Sequence, residues 1–401
     1  MRILQLINKV PHPPKDGGVI GIRLFSDNFI KHRVDLQILA MNTRKHYVAS
    51  KDIPKYFLEQ TKMKIVEVDA FPSKIGAVFN FLFSKIPYTA TRFIDNTFEE
   101  ELITLLKEKI FDIIQLEGVY LAPYIPVIRK YSKAKISIRA HNIEYEIWKR
   151  IADNSYNPVK SFYYNSLAQR VKNFELRYFP MADVILAITQ RDAKHIKRLG
   201  IVTPIHIIPA GIDIERIDTG KQASDFPNLF HLGALDWEPN LEGLRWFLKN
   251  IWGNVLRQSP DIQLHIAGRN ASAKTVAFLR QQPNLVYHGE VDDAYQFMRE
   301  HAIMIVPLLS GGGMRIKILE GMALSKTIIS TKVGAEGMDY TDGKDLLIAT
   351  SAQEFEKQIV EIVKNKDKCL QISNNAKVLI QEKYNNFALV KELLTFYENI
   401  I

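Results

Sequence analysis

Short apolar runs alternate with longer amphipathic stretches along almost the whole chain. Residues 3–7, 34–40, 64–68, 113–116, 135–138 and 184–188 have the length and continuous apolarity of buried strands. Between them, residues 21–31, 98–109, 120–130, 162–179 and 190–199 carry apolar side chains three and four apart, the spacing of a helix with one covered face. This alternation predicts βαβ units around a mostly parallel sheet. The pattern breaks at Pro209–Asp213 and the polar run 219–228, then restarts. The second series has strands at 229–233, 263–267, 285–288, 303–306, 327–330 and 346–348. Its helices lie at 240–256, 271–281, 294–300, 314–324, 352–363 and 367–383, with a closing helix from about Phe387.

Two such series predict an α/β protein of two tandem Rossmann-like, doubly wound domains, with ligands in a central cleft at the carboxyl ends of the strands. The expected division is residues 1–210, residues 211–385, and a C-terminal helix over 386–401 that packs back on the first domain. A length of 401 residues suits two cores of about 200 residues each.

Composition narrows the class. Apolar content of 47% with 24% charged residues belongs to a globular chain, not a disordered one. The single cysteine, Cys369, excludes an intramolecular disulfide and a cysteine-based zinc site, and fits a reducing compartment. No stretch reaches about 18 uninterrupted apolar residues. The first residues form a strand rather than a secretory signal, so a cytoplasmic protein is expected. Residues 1–215 hold 32 Lys and Arg against 22 Asp and Glu, while the remainder is nearly balanced. A basic first half suits an acidic partner, such as anionic headgroups, a polyphosphate or nucleic acid.

The densest candidate chemistry is residues 310–320, SGGGMRIKILE. An apolar strand precedes it, and Gly311, Gly312 and Gly313 let the backbone take positive φ and approach a ligand. Helical spacing begins at Met314. A strand, a glycine loop and a helix N-terminus together cradle an anion, because unpaired N–H groups and the helix dipole face the loop. Arg315 and Lys317 add positive charge in the expected first turn. There each opposes the dipole at a cost of about 0.3–1 kcal/mol unless an anion is bound. A phosphate is the ligand this suggests.

Other strand ends carry polar groups too. Glu117 ends the fourth strand, where burial should raise its pKa as in catalytic acids and bases. Arg139, His141 and Asn142 share the next strand tip. Gly233, Arg269 beside Gly268, and the 333–337 turn VGAEG follow in the second half. Gly17 and Gly18 open the first helix without forming a Gly-x-Gly-x-x-Gly fingerprint, which argues against a nicotinamide dehydrogenase. They suit either a phosphate or sugar contact or a tight strand–helix turn. No His, Asp or Glu spacing suggests a built-in metal, and no nucleophile-elbow or Walker motif is present.

With these residues in view, the chain resembles a GT-B glycosyltransferase, most closely the large retaining family four. The resemblance spans nearly the whole length and is strongest over 233–337, with supporting matches at 112–117, 139–144 and 208–213. The family's signature is two glutamates separated by seven residues. Glu320, followed by Gly-Met-Ala, matches the second, which implies that it holds the nucleotide ribose. Gly312 stands where the first glutamate belongs, so the usual carboxylate contact to the donor sugar is missing. The Arg and Lys that relatives carry after the first strand of the second domain are also missing from 233–240, and Arg315 and Lys317 are the candidates to replace them. Glu117 stands where many relatives have a histidine, and either Glu117 or His141 takes that role.

The resemblance implies retaining, metal-independent transfer of a hexose-type sugar from a nucleotide diphosphate sugar, with no cofactor. The acceptor expected is a glycan or lipid-linked glycan in cell-surface polysaccharide synthesis. Gly17, Gly18, Gly233, Arg269, the 311–313 glycines, Met314 and Glu320 form the expected donor side. The apolar stretch 75–86, flanked by Lys74, Lys85 and Arg92, suits a surface helix touching an anionic membrane or a buried helix of the first domain. Rival readings are a GT-B sugar-nucleotide epimerase and a non-catalytic nucleotide-sugar-binding protein. Nucleic-acid binding rests on charge alone and is not expected.

Overall fold

The computed structural model describes residues 1–14, 17–71, 73–155, 157–217 and 225–401. Lys15 and Asp16 of the first glycine loop, and most of the polar run from Thr219, lie outside the described residues. The chain divides into two compact units, Met1–Ala210 with Asn386–Ile401, and Gly211–Asn385.

Unit 1 is built on seven parallel strands: β1 (Arg2–Ile7), β2 (Asp35–Thr43), β3 (Lys64–Val68), β4 (Ile113–Glu117), β5 (Lys135–Ala140), β6 (Val184–Ala187) and β7 (Ile205–Ile207). Their order across the sheet is β3-β2-β1-β4-β5-β6-β7. Unit 2 has six parallel strands: β8 (Asp225–Leu232), β9 (Leu264–Ala267), β10 (Leu285–Gly289), β11 (His301–Val306), β12 (Thr327–Thr331) and β13 (Leu347–Ala349). Their order is β10-β9-β8-β11-β12-β13. Helices cover both faces, so β4, β11 and β12 are buried at every position, which is why the sequence shows unbroken apolar runs and not alternation. Side-chain caps start many of the connecting helices. Asp95 accepts from the Phe98 N–H at 2.9 Å and Thr189 from the Asp192 N–H at 3.0 Å.

In each sheet the first strand lies between the second and the fourth, so the chain turns opposite ways on leaving β1 and β4, and again β8 and β11. A crevice opens at the carboxyl ends of such a pair. The closing helix, Asn386–Glu398, belongs to unit 1, where Leu389, Val390, Leu393 and Tyr397 are buried. Its first residue is fixed by Asn386 Nδ2 donating to the Leu24 carbonyl at 2.9 Å.

The reversal point of unit 1 is occupied by a buried polar network. Glu117, at the end of β4, accepts from Gln5 Nε2 of β1 at 2.7 Å and from Gln115 Nε2. Its other oxygen lies 3.4 Å from Arg139 Nη1 and 2.8 Å from His141 Nε2, both from the end of β5. The Arg139 guanidinium sits 3.6 Å over the Phe25 ring. The Tyr397 hydroxyl of the closing helix is 2.8 Å from both Gln115 Oε1 and Ser137 Oγ. The raised pKa expected for Glu117 is overturned. Burial by itself pushes the carboxyl up, but the Arg139 charge and the His141 and Gln5 hydrogen bonds outweigh it and hold the pKa at about 2.

A carboxyl depressed below its ordinary value of 4.5 stabilises the fold at pH above that value, and the contribution is lost as pH falls through about 2. Glu117→Gln leaves Arg139 buried without its counter-charge, so the expected loss at pH 7 is about 3–5 kcal/mol. Urea titrations of the wild type and the variant should show a full gap above pH 4.5 that narrows steadily as the pH drops further. A variant as stable as the wild type at pH 7 contradicts the role given to this pair.

Candidate functional site

In unit 2 the ends of β8, β9 and β11 lie side by side at the reversal point between β8 and β11. The loop after β8 and the loop after β9 are laced together. Leu235 N–H donates to the Arg269 carbonyl at 2.9 Å, and Asn270 Nδ2 to Asp236 Oδ2 at 3.0 Å. Their glycines are required by packing. A Cβ on Gly268 would lie 1.9 Å from the Gly233 carbonyl oxygen, and one on Gly233 would lie 2.7 Å from Asn240 Nδ2. His231, buried on β8, has its Nδ1 3.1 Å from the Ile305 carbonyl. Because a carbonyl only accepts, Nδ1 carries the proton. Burial lowers the ring's pKa to about 4, so it is neutral.

The loop after β11 contains residues 311–313. Gly311 and Gly313 adopt φ of +113° and +81°, the left-handed region that other residues avoid. Arg315 Nη1 donates back to the Gly312 carbonyl at 2.6 Å, and its guanidinium lies 5.1 Å over the Trp237 ring. Gly311 leaves room for this stack, since a Cβ there would be 2.6 Å from Arg315 Nη2. Met314 is half-buried in the same loop. The following helix is Ile316–Ala323, with Arg315 as its N-cap and no side chain capping it.

Two expectations about this loop are corrected. The helix begins at Ile316 and not Met314, so Arg315 precedes the first turn and does not stand within it. Lys317 does stand in the first turn, but its Nζ lies 2.8 Å from Glu320 Oε2 one turn later, so its charge is compensated within the helix. Glu320 is itself buried, with the Tyr295 hydroxyl donating to Oε1 at 2.9 Å. Arg269, half-buried at the end of β9, makes no ion pair among the described residues. Trp237 escaped the sequence reading, although an aromatic residue immediately before a Glu-Pro helix start was the available sign.

At the corresponding edge of unit 1, Glu117 is fully enclosed while the His141 side chain keeps 22% of its surface exposed. Of the two, only the His141 side chain has exposed surface, and Glu117 holds its ring through the contact to Nε2. Behind them, Glu175 from the helix Pro158–Tyr178 takes the Glu144 N–H at 2.8 Å and the Tyr145 N–H at 3.4 Å. Burial and the neighbouring Glu144 charge push the Glu175 carboxyl up to about 8, so it is mostly protonated at neutral pH. Nothing in the local sequence marks Glu175, because its partner sits on a different helix. Gly17 and Gly18 begin the helix Gly17–Lys31 at the exposed surface, and a Cβ on Gly17 would meet nothing within 4 Å.

Two family profiles match the chain: Glycosyltransferase Family 4 over residues 67–216, and Glycosyl transferases group 1 over residues 226–365. The chain is 25% identical, over 96% of its length and 97% of the relative's, to an uncharacterised 44.6 kDa protein in the cps region of Klebsiella pneumoniae. It is 22% identical, over 95% of each chain, to an uncharacterised glycosyltransferase of Methanocaldococcus jannaschii. Among solved structures it resembles Anabaena HepE in complex with UDP, with a TM-score of 0.68 at 13% identity over the full length of both chains. It also resembles a sucrose-phosphate synthase of Thermosynechococcus elongatus, with a TM-score of 0.70 at 14% identity over 100% and 99% of the two chains. With two parallel α/β units and matches to both profiles, the chain is a glycosyltransferase of the GT-B fold, a member of the group that includes glycosyltransferase family four.

Proposed function

We propose that this glycosyltransferase moves a hexose-type sugar from a nucleotide diphosphate sugar to a glycan or lipid-linked acceptor, with retention, without a metal at the reacting centre and without a cofactor. The observation that carries the reading is the uncapped N-terminus of the helix Ile316–Ala323, facing a left-handed glycine loop with Arg315 folded beside it. Backbone N–H groups and a guanidinium fixed there stabilise the negative charge that develops on a departing diphosphate, with little reorganisation during the reaction. Arg269 is the second cation for that diphosphate. Glu320, already held by Tyr295 and Lys317, is assigned to the ribose by its match to the family's second glutamate. The Anabaena relative is known in complexes with UDP and UDP-glucose, which supports this class of donor.

Unit 1 is assigned to the acceptor. His141, oriented by Glu117, faces the acceptor hydroxyl, and the leaving phosphate takes that hydroxyl's proton. A role in cell-surface polysaccharide synthesis is supported by the relative from the cps region of Klebsiella pneumoniae.

The helix Lys74–Phe83 favours an acceptor at a membrane. Ile75, Val78, Phe79, Leu82 and Phe83 recur at helical spacing and are 57–79% exposed, so the apolar stripe faces outward and not into the core. Exposed Val159 and Phe162 lie on the helix Pro158–Tyr178, which touches this one through the Phe81–Tyr163 ring pair. The excess positive charge of residues 1–215 adds attraction to anionic lipid. No helix among the described residues is long and apolar enough to cross a membrane, so the proposed association is peripheral.

Two experiments test these assignments. Incubation with nucleoside diphosphate sugars and lipid-linked acceptors, followed by NMR, should give a product whose new linkage keeps the donor's anomeric configuration. Inversion would refute retention, and nucleotide binding without turnover on any acceptor would favour a binding module. In flotation with phosphatidylglycerol-containing vesicles, the wild type should rise with the lipid while Phe79→Ser/Phe83→Ser stays in the soluble fraction. Absence of wild-type binding would remove the membrane assignment.

A further inference from the structure

We propose that His265, His288 and His301 form a binding site for a divalent late-transition metal ion of the Zn²⁺ class, which clasps one side of the second sheet. The three residues come from β9, β10 and β11, and each has a ring nitrogen within 4.8 Å of the other two. His265 Nδ1 and His288 Nε2 are 3.0 Å apart, and the His265 and His301 rings stack with centroids 4.2 Å apart. Tetrahedral zinc with Zn–N bonds of about 2.0–2.1 Å holds its nitrogens about 3.3 Å from one another. One pair is thus already close to that spacing, and the His301 ring, now stacked on His265, turns to bring its nitrogen to the ion.

The nitrogens are also short of other partners. His265 and His301 are buried, and His265 Nε2 and both ring nitrogens of His301 have no hydrogen-bond partner among the described residues. Buried polar atoms are seldom left so, and an ion bound beside His265 Nδ1 and His288 Nε2 takes up the lone pair of one of the two His301 nitrogens. Phe297 packs 4.7 Å from the His301 ring and 5.2 Å from the His288 ring and walls the cluster with apolar surface. His288 is exposed and leaves a way in.

Three imidazoles without a carboxylate ligand select zinc, cobalt, nickel or copper over magnesium or calcium. The site is separate from the donor loop. His301 opens β11 and the glycine loop follows its far end, about 16 Å along the strand at 3.3 Å per residue. Its role is therefore structural: it ties β9, β10 and the start of β11 together across β8.

The test uses the full-length chain without a histidine tag, stripped with a chelator and titrated with Co²⁺. The expected result is the visible absorption band of tetrahedral Co²⁺, saturating at one equivalent, displaced by Zn²⁺ and accompanied by a higher melting temperature. His288→Gln, at an exposed position, should melt like the metal-free wild type and show neither the band nor the shift. Mg²⁺ should have no effect. No band with the wild type, or an undiminished band with His288→Gln, would overturn the proposal.

Discussion

A parallel sheet covered by helices on both faces leaves reactive side chains few places to reach solvent, and the ends of the strands are the principal ones. That constraint shapes both units. Apolar residues fill the strand interiors, and the groups that suit chemistry (Glu117, Arg139 and His141 in unit 1, Arg269 and Arg315 in unit 2) gather where the strands stop. The sheet orders add a preferred position along that edge. β1 beside β4 and β8 beside β11 are the places where the connections part.

The two reversal points use charge in opposite ways. In unit 1 a carboxylate is taken out of water and compensated internally by Arg139, His141 and two glutamines. A buried pair of this kind adds little net stability but is costly to break, so its main effect is to fix β1, β4 and β5 in register and set the His141 ring. In unit 2 the helix Ile316–Ala323 has no side-chain cap, and a guanidinium sits at its start. A helix N-terminus in that state is electrostatically suited to an anion. The glycine loop supplies the left-handed turn that brings Arg315 against Trp237, and Glu320, one turn later, absorbs the charge of Lys317.

Much of the architecture was legible because it depends on local pattern. Unbroken apolar runs announced the buried strands, and their alternation with helical spacing announced the parallel sheets. Strand ends carrying glycine or charge pointed to the carboxyl edge of each sheet. What escaped depends on contacts distant in sequence. Glu117 looked like a desolvated acid because Gln5 and Arg139 arrive from other strands. Trp237 and Arg315 meet only once β8 and β11 are neighbours, and the three histidines of unit 2 are joined only by strand order. The face presented by the helix Lys74–Phe83 was equally hidden, since an apolar stripe has the same spacing whether it turns inward or outward. The Lys317–Glu320 pair, by contrast, was visible at i,i+3 spacing and was missed.

The central claim is that a diphosphate settles at the start of the helix Ile316–Ala323 beside Arg315. Calorimetric titration of UDP into the wild type and Arg315→Ala, at one low salt concentration, tests it most directly. The variant should bind at least about tenfold more weakly, a loss of about 1.4 kcal/mol, with its melting temperature in the absence of nucleotide little changed. Equal affinity in the two proteins would contradict it.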